Sequence, residues 1–146
     1  MSNVETLRCA FCEIAAGALP AYIVYESEDI LAFLDTRPLF PGHVLLCPRE
    51  HYTTLPDLPR RLAGPLMEAA QLLAQAVESA LEAEGTFVAI NNRVSQTVPH
   101  LHIHVIPRRR RDGLRGFFWP RQQYQDESAR EAVRHAIEIE VKKLLE

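Results

Sequence analysis

The sequence predicts an α+β protein with a five-stranded antiparallel sheet and two main helices. Five short runs of branched and aromatic residues are separated by polar, Pro- or Gly-containing segments, and two longer stretches carry apolar residues at helical spacing. Most of the strands follow one another directly, which favours an antiparallel sheet. The length of 146 residues suits one domain with one core. We therefore expect a single domain over residues 1–146, with its core at about 9–108 and a C-terminal tail and helix at 109–146.

The strands alternate with residues that favour turns. The predicted strands are 21–26, 30–34, 43–47, 87–91 and 101–106. A polar turn of Ser27, Glu28 and Asp29 joins the first two as a hairpin. A loop containing Gly42 leads to the third strand, which Pro48 ends because proline cannot donate to a ladder.

The helices follow from apolar spacing and from residues that favour helix ends. The longer predicted helix covers about 59–84, with an apolar stripe of Leu62, Leu66, Leu73, Val77 and Leu81. Proline suits the first turn of a helix, so Gly64-Pro65 favours a regular start there, and Gly85 favours the end. The last helix is expected from a cap at Asp126 to Leu145, and a short segment at about 11–16 precedes the first strand.

Composition and charge exclude several classes of protein. A net charge of −3 argues against binding to nucleic acid or to an anionic membrane, because both need a basic surface. No apolar run approaches the ~20 residues of a membrane span. Three cysteines and the absence of a signal-peptide pattern favour a reducing compartment, and we expect a cytoplasmic protein.

A row of histidines is the most specific feature of the chain. His100, His102 and His104 alternate with Leu101 and Ile103 in the segment HLHIH. Alternate side chains of a strand point to opposite faces, so the imidazoles should share one face while the aliphatic residues enter the core. Imidazoles titrate near neutral pH, bind metals and contact phosphate. The row therefore predicts metal binding or phosphate and acid–base chemistry.

A C-x-x-C motif near the N-terminus predicts a second site. Cys9 and Cys12 have the spacing of zinc ligands or of a redox pair, and no β-α-β context here supports the redox pair. Two thiolates need two further ligands to close a zinc tetrahedron. The candidates are His43, His51, His100, His102, His104 and His135. Our hypothesis is a closed structural zinc site of Cys9, Cys12, His51 and His100; the alternative is two ordinary buried cysteines.

Several motifs in the same order resemble the histidine-triad (HIT) family. They are H-L-H-I-H-V-I-P, Phe33-Leu34-Asp35, Pro41-Gly42-His43-Val44-Leu45, Pro48-Arg49-Glu50-His51 and Ser95-Gln96-Thr97. The C-x-x-C and P-x-x-H motifs are similar to those of the zinc-bearing branch and support the same four ligands. The resemblance implies a homodimeric nucleotide hydrolase or transferase, with structural zinc and no catalytic metal.

The resemblance also assigns roles to individual residues. His102 would be the nucleophile that attacks the α-phosphate, with His104, His43 and Gln96 as further catalytic residues. The implied substrate-binding residues are Asp35, Phe33, Ile14, Asn91, Asn92, Ser95 and Thr97. An imidazole nitrogen can attack phosphorus directly, provided the other nitrogen holds its proton, for which a carbonyl near His100 is the expected acceptor. The plainer interpretations are a turn former for Asp35 and core packing for Phe33 and Ile14.

Three features depart from that pattern. The segment at 91–96 is short, lacks glycine and carries Arg93, which affects how closely its backbone can approach phosphate. Four arginines at 108–111 form either a solvated loop or a cationic rim, and an apolar cluster follows at 117–119. Two alternative functions stay open: a hydrolase with a catalytic metal on the three-histidine strand, and a nucleotide-binding module without turnover.

Overall fold

The computed structural model describes residues 9–115 and 121–146, so the predicted apolar cluster at 117–119 lies outside the described residues. The strands are β1 (Ile23–Glu26), β2 (Ile30–Leu34), β3 (Val44–Pro48), β4 (Gly85–Ala89) and β5 (Ile103–Arg108). The helices are α1 (Ala10–Ala15), α2 (Arg60–Leu81) and α3 (Glu127–Leu145), with one turn of 3-10 helix at Leu55–Asp57.

All five strands form one antiparallel sheet in the order β1-β2-β3-β5-β4, which confirms the predicted fold class. The central strands β2 and β3 read as unbroken apolar runs because both of their faces are covered. The pairing of β3 with β5 places Leu45 opposite His104. His104 is therefore held inside the sheet, between β3 and β4.

The two faces of the sheet pack against different helices. On one face, the strand residues Ile30, Ala32, Val44, Leu46, Ile103 and Val105 pack with Leu62, Leu66, Leu73 and Val77 of α2. Leu81, the last residue of the predicted stripe, is exposed instead. On the other face, Leu31, Phe33, Leu45 and Cys47 pack with Phe11 and Ile14 of α1. His104 lies opposite Leu45 and so belongs to the α1 face. The first face holds the larger core, and the second holds the polar residues described below.

Helix α2 corrects two predicted boundaries. It begins at Arg60 after an N-cap at Pro59, so the predicted start at Gly64-Pro65 is wrong. Pro65 lies inside the helix on its exposed side, where loss of one backbone donor is tolerated while the buried stripe continues through it. The helix ends at Leu81 with Glu82 in the left-handed conformation, and Gly85 already belongs to β4.

Strand β5 begins two residues later than the sequence predicts. The backbone N–H of Leu101 bonds the carbonyl of Tyr52 at 2.6 Å, and regular pairing starts only at Ile103. His100 and His102 therefore precede the strand, and both are buried. The predicted straight row of three imidazoles on one strand face is replaced by a bend that separates His100 from the other two.

The chain separates into two compact units, the first ending at Asp112 and the second running from Gly113 to Glu146. The second contains α3, whose N-cap Asp126 accepts a hydrogen bond from the N–H of Ala129 at 2.7 Å, as the sequence predicts. The predicted single domain over 1–146 stays a prediction. In the described ranges, no helix has the length and apolar character needed to cross a bilayer.

Candidate active site and metal cluster

A cavity of about 720 Å³ opens on the α1 face of the sheet. Six of the predicted site residues line it: Ile14, Phe33, Asp35, Thr97, His102 and His104. Most of its wall is apolar. Its polar side chains are those of Tyr22, Asp35, Thr36, Arg37, Thr97, His102 and His104. A cavity of this size, with few convergent polar groups, is typical of a small-molecule site.

His102 is held in one tautomer by the backbone. Its Nδ1 lies 2.7 Å from the carbonyl oxygen of His100, so Nδ1 carries the proton and donates it. This contact agrees with the expectation that a carbonyl near His100 holds the proton. Among residues 9–115 and 121–146, no hydrogen bond to Nε2 is found. The imidazole therefore presents an Nε2 lone pair on a side chain that lines the cavity.

His43 and His104 form a short chain of hydrogen bonds. The backbone N–H of Leu39 donates to Nδ1 of His43 at 3.1 Å, so a neutral His43 carries its proton on Nε2. That Nε2 lies 2.9 Å from Nδ1 of His104 and donates to it. A neutral His104 must then carry its own proton on Nε2. One backbone amide thus sets the tautomers of two imidazoles and leaves an N–H donor at the cavity.

The electrostatic surroundings keep both imidazoles neutral. Burial, together with the smaller effects of the nearby His102 and His43, lowers the pKa of His104 to about 4, and the Asp35 carboxylate only partly opposes this shift. Burial also lowers the pKa of His43, which the Asp35 carboxylate partly opposes. The hydrogen-bond chain, which requires neutral rings, is therefore the state expected at neutral pH.

Asp35 directly follows the last residue of β2 and lines the cavity. Its Oδ1 accepts the backbone N–H of Arg37 at 2.9 Å, and its Oδ2 lies 3.7 Å from Nε2 of His43. The turn-forming role considered from the sequence is therefore present. The second oxygen still points towards the histidines, so the carboxylate combines a turn with a position on the cavity wall.

The predicted phosphate loop is only partly brought to the cavity. Thr97 lines it, whereas Gln96 uses its amide within the protein: Nε2 donates to the carbonyl of Thr53 at 2.6 Å, and Oε1 accepts the N–H of Arg93 at 2.8 Å. Asn91, Asn92 and Ser95 are exposed and lie outside the cavity lining. Asn92 instead accepts the N–H of Leu55 at 2.9 Å.

The four predicted metal ligands converge. One ligand atom each from Cys9, Cys12, His51 and His100 lies within 4.8 Å of all the others. The Nδ1 of His100 is 3.3 Å from Sγ of Cys9 and 3.5 Å from Sγ of Cys12, and Nδ1 of His51 is 3.4 Å from Sγ of Cys12. Tetrahedral zinc holds sulfur and nitrogen ligands roughly 3.6 Å apart, given bonds of about 2.3 and 2.0 Å. The cluster therefore has the size of a zinc site.

The tautomer of His100 also suits a metal. Its Nε2 lies 2.8 Å from the carbonyl of Pro48 and donates to it, which leaves Nδ1 unprotonated toward the thiols. Burial, with the adjacent Cys9, raises the pKa of the Cys12 thiol to about 11, so a metal must displace a proton there. Cys47 is buried in the core, as predicted.

The three triad histidines do not converge on one point. His100 faces the cysteines, whereas His102 and His104 have ring centroids 4.9 Å apart beside the cavity. A second group of possible ligands within the described residues is Asp35, His43 and His104. There the nitrogen of His43 that faces the group carries the proton. This geometry disfavours the alternative with a catalytic metal.

Three of the four arginines, Arg108 to Arg110, are tied to structural partners rather than to the cavity. Arg109 donates to the carbonyls of Leu81 and Glu82 at the end of α2, which stabilises the helix C-terminus. Arg108 pairs with Asp112, and Arg110 pairs with Glu84 at 2.8 Å. The cationic-rim interpretation therefore loses most of its support.

Sequence analysis missed Phe11, the residue just before Cys12 in the C-x-x-C motif. It is buried, lines the cavity, and its ring centroid lies 5.1 Å from that of His102. The spacing of Phe11 and Ile14 along α1 was a signal, because residues three apart share one helix face. No sequence pattern indicated that the backbone N–H of Leu39 would donate to Nδ1 of His43 and so set its tautomer.

The HIT domain family model matches residues 16–111, a range that holds the triad, His43 and Asp35. The chain belongs to the HIT family. An uncharacterized HIT-like protein of Mycobacterium tuberculosis is 40% identical to it over 108 residues, which are 73% of this chain and 75% of that protein. The similarity to the family therefore extends over most of the sequence of this HIT protein.

Two relatives have names that state an activity. The adenylylsulfatase HINT3 of Arabidopsis thaliana is 36% identical to this HIT protein over 108 residues, which are 73% of this chain and 55% of the relative. The adenosine 5'-monophosphoramidase HNT1 of Saccharomyces cerevisiae is 33% identical over 130 residues, 84% and 78% of the two chains.

Solved structures agree with the fold of this HIT protein. A HIT family protein of Bacillus subtilis superposes with a TM-score of 0.81 at 31% identity, covering 89% of this chain and 94% of its own. A zinc-bound histidine triad family protein of Mycobacterium smegmatis gives a TM-score of 0.70 at 38% identity, covering 85% and 89%.

Proposed function

We propose that this HIT protein hydrolyses nucleotide conjugates at the α-phosphate and releases a nucleoside monophosphate. The observation that carries the proposal is the tautomer of His102, with Nδ1–H on the His100 carbonyl and Nε2 unprotonated. The relatives named adenylylsulfatase and adenosine 5'-monophosphoramidase support an adenylyl group on the substrate. Dinucleoside polyphosphates and nucleoside phosphoramidates are the substrate classes to test.

The reaction would take place in two displacements. In the first, the Nε2 lone pair of His102 attacks the α-phosphorus; an N–P bond forms and the bond to the leaving group breaks. The positive charge that develops on the imidazole is stabilised at Nδ1–H by the His100 carbonyl, 2.7 Å away. In the second, water attacks phosphorus, the N–P bond breaks, and the monophosphate leaves with His102 neutral again.

His104 would stabilise the charge that builds on the non-bridging oxygens. Its Nε2–H is the donor that the chain from Leu39 through His43 leaves at the cavity. Donors placed in advance lower the barrier because they need no reorganisation during the reaction. His43 acts through His104, so we assign it as a positioning residue.

The nucleoside would occupy the apolar part of the cavity. Asp35 has one carboxylate oxygen outside its own turn, and a carboxylate is a strong acceptor for the ribose hydroxyls. Phe33 and Ile14 would form the base wall. Gln96, Asn91, Asn92 and Ser95 keep the predicted role only if the loop rearranges on binding, because Gln96 is engaged with Thr53 and the other three lie off the cavity lining.

Cys9, Cys12, His51 and His100 would hold a structural zinc ion. When bound, the metal would supply a cross-link between α1 and the segment before β5, with no open position for chemistry. The distances among the ligand atoms and the tautomer of His100 support this assignment, as does the zinc-bound relative from Mycobacterium smegmatis. The family resemblance further implies a homodimer, which sedimentation tests. The cytoplasmic location that the three cysteines and the N-terminal sequence favour is tested by fractionation.

The decisive experiment combines a substrate panel with a covalent trap. Diadenosine polyphosphates, adenosine phosphoramidate and adenylyl sulfate are each incubated with the protein, and the products are identified by mass spectrometry. Rapid acid-free quenching of a single turnover should reveal a mass increase of one adenylyl group on the peptide containing His102. Turnover without that adduct, under conditions that preserve phosphoramidates, would favour direct attack by water. Adenylate binding with no turnover on any substrate would favour the binding module.

A further inference from the structure

The ring of Phe11 contacts both of the sites described above. Its centroid lies 5.7 Å from the ring of His100, a proposed metal ligand, and 5.1 Å from that of His102, the proposed nucleophile. It also meets Phe33 edge to face at 5.2 Å. One buried side chain therefore joins the Cys2His2 cluster, the nucleophile and the wall of the nucleotide cavity.

Helix α1, which carries Phe11, depends on few contacts. It has six residues, and a helix this short is unstable without tertiary anchors. Two apolar side chains, Phe11 and Ile14, pack on the sheet. Near its C-terminal end, Arg49 reaches the carbonyl of Ala15 at a long 3.4 Å. The N-terminal end is held where Cys9 and Cys12 meet the two histidines.

We propose that a metal ion in the Cys2His2 cluster and a nucleotide in the cavity bind cooperatively, with Phe11 as the positioning residue between them. This inference rests on the proposed nucleotide site. Loss of the metal would release the Cys9 end of α1 and let Phe11 move away from Phe33 and His102. Conversely, a nucleotide packed on Phe11 would hold α1 in the position that the metal requires. The coupling is reciprocal because both ligands favour the same arrangement of one element.

The effect is expected to stay local. The larger core, between the sheet and α2, contains no residue of α1. A chain without metal can therefore keep that core while the α1 face loosens. Cooperativity would then be measured between two sites of a folded protein, rather than as general unfolding.

Zinc affinity with and without AMP tests the proposal. Zinc-loaded protein is titrated with a chromophoric chelator, which reads zinc occupancy directly and needs no turnover. Saturating AMP should raise the zinc affinity about tenfold, within the usual range of coupling between sites. By the same linkage, calorimetry should find AMP binding about tenfold weaker after zinc removal. Inorganic phosphate is the control for zinc binding by the phosphate group, and it should leave the zinc affinity unchanged.

Two substitutions in α1 separate Phe11 from the rest of the helix. Phe11→Leu removes the ring that contacts both histidines. In this variant AMP should no longer change the zinc affinity, while the zinc content of the purified protein stays full. Ala15→Ser changes a residue of the same helix that lines neither the cavity nor the metal cluster, and the tenfold effect should persist. Loss of the effect in both variants would overturn the role of Phe11.

Two further outcomes distinguish this inference from the proposed function. If AMP binds the zinc-loaded protein but zinc affinity does not change, the cooperativity is refuted and the proposed function stands. If AMP does not bind the zinc-loaded protein at all, the proposed function fails and this inference fails with it. The chelator titration starts from loaded protein, so it decides between these outcomes even if the metal-free chain unfolds.

Discussion

The imidazole Nδ1 of His102 lies 2.7 Å from the carbonyl oxygen of His100, two residues earlier in the chain. The side chain of the same His100 is fully buried, bonded to the Pro48 carbonyl at Nε2 and turned towards two thiols at Nδ1. One residue thus gives its side chain to the metal cluster and its backbone to the proposed nucleophile. Neighbouring histidines of the triad therefore face different sites: His100 faces the cysteines, and His102 faces the cavity.

Replacing His102 should abolish turnover and preserve binding. We expect His102→Asn to lower kcat by at least about 10⁴-fold, the order lost when a nucleophile is removed from a catalytic unit. AMP affinity, measured by calorimetry, should change little because the cavity wall stays in place. His135→Asn removes an exposed imidazole from α3 and serves as the control. Activity close to wild type in His102→Asn would refute the assignment of the nucleophile.

Replacing His43 should weaken catalysis through His104. In His43→Asn the donor that fixes the tautomer of His104 is lost, and we expect kcat to fall about 10²-fold with a smaller change in KM, as for loss of one oriented donor. His104→Asn removes the donor itself and should cost a similar factor. If both act as one unit, the double variant should be little worse than either single variant. Full additivity in this double-mutant cycle would contradict the hydrogen-bond chain.

The sheet was predictable from local pattern, and the same kind of pattern pointed to the four residues that converge as candidate metal ligands. Ile30–Leu34 was predicted to the residue because a charged turn precedes it and Asp35 follows the apolar run. The C-x-x-C spacing and the chemistry of zinc restricted the ligands, and the family resemblance supported the same four. The strand and the C-x-x-C motif are each defined by a few neighbouring residues, whereas the approach of His100 to Cys9 depends on the fold.

The finer geometry depends on contacts between distant segments. The bend at His100 arises because the Leu101 amide donates to the carbonyl of Tyr52, which lies far away in the sequence. The Gln96 side chain is likewise held away from the cavity by a distant partner, because its amide donates to the carbonyl of Thr53. The hydrogen bond from the Leu39 amide that sets the tautomer of His43 forms only once the loop between them has folded. No periodicity in the sequence encodes these pairings.

Acid should destabilise the protein through His104. Its pKa is lowered from the ordinary 6.5 to about 4, with burial as the main cause. Between these values the unfolded chain binds a proton at this residue that the folded chain does not, so the free energy of unfolding falls as pH falls through that window. Urea titrations at pH 7, 6 and 5 should give a shallower decline for His104→Asn than for wild type. Equal slopes would contradict the lowered pKa.

Two glycines should respond in opposite directions to the same substitution. Gly42, next to His43, has φ +95°, which alanine adopts only with strain, and an added Cβ would also meet the side chain of Leu81. The Leu81 side chain can rotate away, so the backbone strain decides, and Gly42→Ala should lower the free energy of unfolding by about 1–3 kcal/mol. Because the turn at Gly42 places His43, activity should fall as well.

Gly64 is the matched control, since it lies inside α2 with open space where a Cβ would be added. Gly64→Ala should raise the free energy of unfolding by about 0.5–1 kcal/mol, because alanine loses less conformational entropy in a helix. Urea unfolding of both variants measures the difference, and initial rates show whether only Gly42→Ala affects catalysis. A Gly42→Ala variant as stable and active as Gly64→Ala would mean that the left-handed turn before His43 is not required.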